Sequence, residues 1–235
     1  ILETVVELYM KRLLCVLLLA CSLPATHAAS GDDRVLAAKD AVQRGDRIKL
    51  AKQLEAVRGH ELEPYVEYWL LRLRLEEAGS AELREFLARQ SGSYLAEKLR
   101  GEWLKVLGKR REWDAFDAEY PPLVQADQEI TCYALQNRLR LADLGALDEA
   151  RPLWFMPADL PESCMPLMEQ LLADKRLGTD DIWERLRRLL EAKKLGAAKA
   201  TAAYLPVGQA PSAKTLDAIA DKPLRHLALL PSNFA

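Results

Sequence analysis

Residues 93–110 read SYLAEKLRGEWLKVLGKR. Leu95, Leu99, Trp103 and Leu107 recur every four positions, so an α-helix carries them on one side, and Ser93 stands where a side-chain oxygen can cap the first turn. A half-buried strand would need a period of two, which the stretch does not have. The same pattern continues in both directions. Upstream, Asp33 can cap a run with Val35, Leu36 and Ala37 that ends at Gly45. A run from Asp46 carries Ile48, Leu50, Leu54 and Val57 and stops at Gly59. EPYVEYWLLRLRL sets Tyr65, Trp69 and Leu73 four apart, with Tyr68 and Leu70 widening the stripe, and Ser80 is a good N-cap for a helix with Leu83, Phe86 and Leu87.

Downstream, Trp113 and Phe116 mark a short run closed by Tyr120-Pro121-Pro122. A longer one from about Gln128 to Leu144 holds Ile130, Tyr133, Leu135, Leu139 and Leu141. Leu147, Ala150, Leu153 and Trp154 form the next, then Leu167, Leu171 and Leu172, then Ile182, Trp183, Leu186 and Leu190 behind a cap at Thr179. Short connections make consecutive helices antiparallel neighbours. Leu144-Gly145-Ala146 and Leu195-Gly196-Ala197 echo each other as in helical-hairpin repeats of irregular period. The fold class expected is all-α, an open superhelix or solenoid of antiparallel hairpins.

Composition agrees. Half of the 235 residues are apolar, Leu, Ala, Glu, Arg and Lys dominate, and glycine and proline are sparse. With 33 basic against 35 acidic residues and no basic block, no electrostatic footprint for nucleic acid exists. Residues 1–28 read as upstream residues plus a signal peptide. Met10-Lys11-Arg12 gives the positive start, LLCVLLLACSLP the short apolar stretch, and Thr26-His27-Ala28 a small-residue cleavage site. Residues 1–9 resemble over-extended translation. Leu18-Leu19-Ala20-Cys21 is an alternative processing site that would leave Cys21 lipidated. The domain proper is then residues 29–235.

Ordinary cleavage removes Cys15 and Cys21 and leaves Cys132 and Cys164 in a disulfide-permissive compartment. The corner LPESCMPL, residues 160–167, invites a different reading, with Glu162 as an acid and Cys164 as a nucleophile. No histidine lies within thirty positions of Cys164 to serve as its base, so a Cys132–Cys164 staple is the better expectation. His60 and His226 have no ligand partners at metal spacing, and no metal or cofactor is expected. No phosphate-cradling glycine loop and no Gly-x-Ser-x-Gly elbow occurs. Glu61, Glu63 and Glu67, and Asp114, Asp117 and Glu119, read as solvated faces. Trp69, Trp103, Trp113, Trp154 and Trp183 could stack sugars along a groove, although burial between helices explains them more simply.

LEPYVEYWLLRLRL, REFLARQSGSYLAEKLRGEWLKVLGKRREWDAF, ITCYALQNRLRLADLGALDEARPLWF, LPESCMPL and DIWERLRRLLEAKKLGAAKATAAYLP follow in that order over residues 33–206. Together they resemble the N-terminal superhelical region of the soluble lytic murein transglycosylases. The resemblance implies a periplasmic protein that handles peptidoglycan glycan strands. In that family the bond between N-acetylmuramic acid and N-acetylglucosamine is cleaved without water, leaving 1,6-anhydromuramyl ends. One glutamate of a C-terminal lysozyme-like domain acts there as acid and then base, an exception to the two-carboxylate scheme. That glutamate sits in a Glu-Ser motif followed by an aromatic residue and a Gly-Leu-Met-Gln run. Here Glu162-Ser163 is followed by Cys164-Met165-Pro166, and the chain closes on LRHLALLPSNFA without Gly-Leu-Met-Gln. The expectation is therefore a partial helical domain with no catalytic residue of its own, which positions glycan strands for a catalytic domain it lacks. The alternative from another class is an exported adaptor that docks an envelope protein on its helical surface.

Overall fold

The structure, a computed structural model, describes residues 30–228. The signal segment, Cys15, Cys21 and the cleavage site at Ala28 lie outside the described residues. The described chain is all-helical, without strands, and falls into two compact units, one ending at Leu73 and one beginning at Arg74.

The first unit contains α1 (Gly31–Gln43), α2 (Arg47–Ala56) and α3 (Glu63–Leu73), each packed on the other two. Val35, Ala38, Ala41, Leu50, Val57 and Val66 form its core, with Trp69, Leu70 and Leu73 partly buried against it. The stripe differs from the sequence reading at Leu36, Ile48 and Tyr65, which are exposed. Alanines at positions 38 and 41 draw α1 close to its neighbours and carry the seam past Leu36. Asp33 is not the cap of α1. Ser30 is, its hydroxyl accepting from Asp33 N–H while the Asp33 carboxylate accepts from Ser30 N–H at 3.0 Å, a reciprocal capping box.

The second unit runs through α4 (Ser80–Arg89), α5 (Tyr94–Arg110), α6 (Trp113–Glu119), α7 (Gln128–Arg140), α8 (Gly145–Trp154), a 3-10 turn at Glu162–Cys164, α9 (Met165–Ala173), α10 (Thr179–Glu191), α11 (Leu195–Ala202), α12 (Ala213–Asp221) and α13 (Pro223–Ala228). Helices pack mainly on their sequence neighbours: α4 on α5, α5 on α6 and α7, α7 on α8 and α9, α8 on α9, α10 on α11, α11 on α12 and α12 on α13. The Leu95–Leu107 stripe of α5 is buried throughout, and Ser93 caps the helix by accepting from Ala96 N–H. Ser80 and Thr179 are the first helical residues, with the glycines before them, Gly79 and Gly178, in the cap positions; Asp181 accepts from Gly178 N–H at 2.8 Å.

The long run toward Leu144 breaks at Ala142, whose φ is 63°. Asp143 N–H reaches back to Arg138 O and Ala142 N–H to Leu139 O, closing a Schellman corner, and Leu141 and Leu144 are consequently exposed. The same pair of bonds ends α1 at Gly45, α5 at Arg111, α9 at Lys175 and α10 at Lys193, all at positive φ. In three of these corners the sequence runs on through Leu-Gly, at residues 144–145, 177–178 and 195–196, so the irregular repeat seen in the sequence is a repeated corner.

Glu119 corrects another reading. It is buried rather than solvated, because Arg84 of α4 donates to its Oε1 at 2.9 Å and Arg100 of α5 to its Oε2 at 2.5 Å. Two guanidinium groups supply the hydrogen bonds that a buried carboxylate would otherwise lack. Asp114 and Asp117 remain exposed, Asp117 accepting from Asn137 Nδ2 of α7 at 2.6 Å.

Candidate functional site

Cys132 of α7 and Cys164 at the end of the 3-10 turn are bonded, with Cα atoms 5.0 Å apart, and both are fully buried. The corner is held further by Ser163, whose hydroxyl donates to Glu129 O and whose carbonyl accepts from Gln136 Nε2. Glu162 is exposed at this corner. LPESCMPL is a structural joint between α7 and α9.

The remaining sequence candidates are dispersed. Trp103 and Trp154 are buried, Trp69 and Trp183 are half-buried against core side chains, and Trp113 is half-buried beside the Phe116 ring, so the tryptophans mainly serve packing. His60 accepts from Leu62 N–H through Nδ1 and faces Asp32 through Nε2 at 3.2 Å. The side chain of His226 lies outside those described. Glu63 caps Gly59 N–H at 2.6 Å. Among the described residues no three His, Cys, Asp or Glu side chains stand close enough to hold a metal, and no helix is long and apolar enough to cross a membrane.

The open site lies elsewhere. On the back of the buried α5 stripe, Tyr94, Glu97, Lys98, Gly101, Glu102 and Lys105 succeed one another at helical spacing and form one wall of a groove of about 460 Å³. The other wall is Leu123, Gln125, Ala126 and Asp127 of the segment before α7, with Ile130. After Pro121-Pro122 stop α6, this segment is held to α5 by Glu97, whose carboxylate accepts from both Val124 and Gln125 N–H at 3.0 Å. Asp127 then caps α7 by accepting from Ile130 N–H at 3.0 Å.

Lys105 lies 2.5 Å from Asp127 and 3.1 Å from Glu129. Burial pushes the Asp127 carboxyl up, but the Lys105 ammonium and the N–H groups at the start of α7 outweigh it, and the net direction is down. Burial likewise pulls Lys105 down, and its two carboxylate partners carry it above the usual lysine value. The pair stays charged near neutrality, so it can bind and orient a ligand but is poorly suited to hand over a proton. Tyr94 is 68% exposed, with Lys98 Nζ 5.6 Å from its ring centroid. An open aromatic face bordered by carboxylates, ammonium groups and the Gln125 amide is the combination that takes hydroxyl- and amide-rich ligands.

Sequence reasoning passed over Tyr94, Lys98, Lys105, Gln125 and Asp127. The helical spacing of Tyr94, Lys98 and Lys105 on α5 was visible, but a polar helix face becomes a groove wall only where a second segment runs beside it.

No protein-family model and no curated protein matches the chain. Solved structures do. The 70-kDa soluble lytic transglycosylase from Escherichia coli is 19% identical with a TM-score of 0.64, over 84% of this chain and 32% of that one. A complex of the 70-kDa soluble lytic transglycosylase with bulgecin A gives 18% and 0.63 with the same coverage. An inactive mutant of the lytic transglycosylase Slt from Pseudomonas aeruginosa gives 26% and 0.62, over 83% of this chain and 32% of that one. The chain therefore spans about a third of the length of the proteins it matches. Its helices have the architecture found in the soluble lytic transglycosylases, and the chain is lytic transglycosylase-like.

Proposed function

We propose that the chain is a helical, substrate-positioning part of a periplasmic lytic transglycosylase, and that the groove along α5 receives peptidoglycan glycan strands. The observation that carries this reading is the open Tyr94 face beside Gln125 and the Lys105–Asp127 pair, on a fold shared with enzymes of that class. Glycan rings stack on an exposed aromatic, while their hydroxyl and acetamide groups find donors and acceptors along the walls. In the whole protein, cleavage between N-acetylmuramic acid and N-acetylglucosamine to 1,6-anhydromuramyl ends would fall to a glutamate outside residues 30–228.

The test is calorimetric titration of purified glycan strands into the chain and into Tyr94→Ala. We expect saturable binding that Tyr94→Ala weakens about tenfold, the worth of one stacking contact of about 1.4 kcal/mol, with an unchanged melting curve. Absence of binding, or equal binding by the variant, overturns the groove assignment. Release of anhydromuramyl ends from murein by the chain itself would place a catalytic carboxylate within these helices and overturn the purely positioning role.

A further inference from the structure

Arg185 occupies a position on α10 that packing would give to an apolar side chain. Ile182, Leu186 and Leu189 on the same face are buried, and Arg185 is itself only 5% exposed. Its Nη1 donates to Trp154 O at 2.5 Å and Met156 O at 3.4 Å, at the end of α8, and the guanidinium carbon lies 5.1 Å from the Trp154 ring centroid. These contacts employ one nitrogen. Among the described residues Nε and Nη2 donate to no protein acceptor, and no carboxylate lies within ion-pairing distance. Asp159, on the same cavity, is held by Lys194 at 3.0 Å. Burial accordingly pushes the guanidinium pKa down, and the more distant Asp159 charge offsets this only in part. Capping α8 would need only a neutral donor, so it does not account for a charge at this position.

The residue lines a cavity of about 270 Å³ between α8, α9, α10 and α11, whose other walls include Trp154, Met165, Met168, Thr201 and Tyr204. The walls are mainly apolar and aromatic, with one fixed cation, the hydroxyls of Thr201 and Tyr204, and a rim carboxylate. We propose that this cavity binds a small monocarboxylate on a short aliphatic body, of the size of an acylated one- or two-residue peptide, with the carboxylate seated on Arg185. The planar guanidinium fork matches a planar carboxylate, and a cavity with a single cation and mainly apolar walls disfavours a dianion such as phosphate. The apolar walls fit an alkyl or acyl body, and the volume sets its length. None of the residues along α5 takes part, so this site and the glycan groove stand or fall separately.

The probe is N-acetyl-dialanine, titrated into the full chain beside its C-terminal amide and inorganic phosphate, with binding followed by calorimetry and by the NMR shift of the Arg185 Nε–H. The acid should bind saturably and move the Arg185 resonance, the amide should bind at least about tenfold more weakly, and phosphate should not compete. Arg185→Gln risks the α8 end, so the decisive variant is Gly196→Leu. A Cβ at this cavity-lining position meets no atom within 4 Å, which leaves room for the side chain without disturbing the fold. Gly196→Leu should keep the melting temperature and lose binding of the acid. Equal affinity for acid and amide, no acid binding, competition by phosphate, or undiminished binding by Gly196→Leu would each overturn the proposal.

Discussion

Asp127 acts twice, capping α7 through Ile130 N–H and pairing with Lys105 across the groove. Substitution separates the roles. Asn keeps an oxygen for the cap and loses the charge, whereas Ala loses both. The folded-state pKa of Asp127 is depressed, so its charge-dependent stabilisation is present above the ordinary carboxylate value of 3.8 and is lost as the pH falls through the folded value. At pH 7 Asp127→Asn should be slightly less stable than the parent, by under about 1 kcal/mol for a pair this exposed. That gap should close in acid melts, where the parent carboxyl is also neutral. Asp127→Ala should stay about 1 kcal/mol below Asn at every pH, because the cap is gone. A gap for Asn that stays constant as the pH falls through the folded-state value would contradict the ion-pair account. Residue-scale legibility was uneven for the same reason. Ser93 was readable because a cap is a local bond, though the caps expected at Asp33, Ser80 and Thr179 sit at Ser30, Gly79 and Gly178. Glu119 and Arg185 were not, because their burial is decided by Arg84, Arg100 and Trp154, far away in sequence.

At the scale of the helix, α5 approaches α7 through Gly108, where an added Cβ would fall 2.3–2.8 Å from the Tyr133 ring. At Gly101, two turns earlier on the same helix, a Cβ would meet Ile130 Cδ1 at 3.7 Å, an ordinary contact. Gly108→Ala should therefore destabilise by about 1–3 kcal/mol through forced separation of the two helices. Gly101→Ala should stabilise by about 0.5–1 kcal/mol through helix propensity. Chemical denaturation of both variants checks the pair, and loss of similar size at both sites would sink the close-approach argument. Helix existence was legible from α1 through α10, where apolar residues recur at helical spacing, but the short helices α12 and α13 were not read as helices. Helix ends were legible at Gly45 and Gly59, where glycine announces positive φ. They were hidden at Ala142, Lys175 and Lys193, where an L-residue adopts the left-handed conformation and the glycine stands three residues later, at the opening of the next corner or helix.

At the scale of the whole chain, each helix within its unit rests largely on its sequence neighbours, the arrangement expected of stacked helical hairpins. The Cys132–Cys164 bond spans 32 positions and ties α7 to α9 across α8. In the chain-entropy account a loop of that length contributes about 3–4 kcal/mol. Reduction, or Cys132→Ala with Cys164→Ala, should lower the unfolding free energy by about that amount and lower the denaturant midpoint. A shift under about 1 kcal/mol would mean that core packing alone holds the joint. All-helical architecture was readable from the sequence, because it depends on local periodicity. The groove was not, because it requires α5 and the segment after Pro121-Pro122 to run side by side.

The bridge also sets an order in time. Contacts between neighbouring helices can form progressively as the chain emerges, since each hairpin completes soon after its second helix appears. Cys132 must wait with a reactive thiol until α8 has been laid down and Cys164 arrives. During that interval it can be oxidised or captured by another thiol, whereas the completed joint buries both sulfurs and withdraws them from exchange.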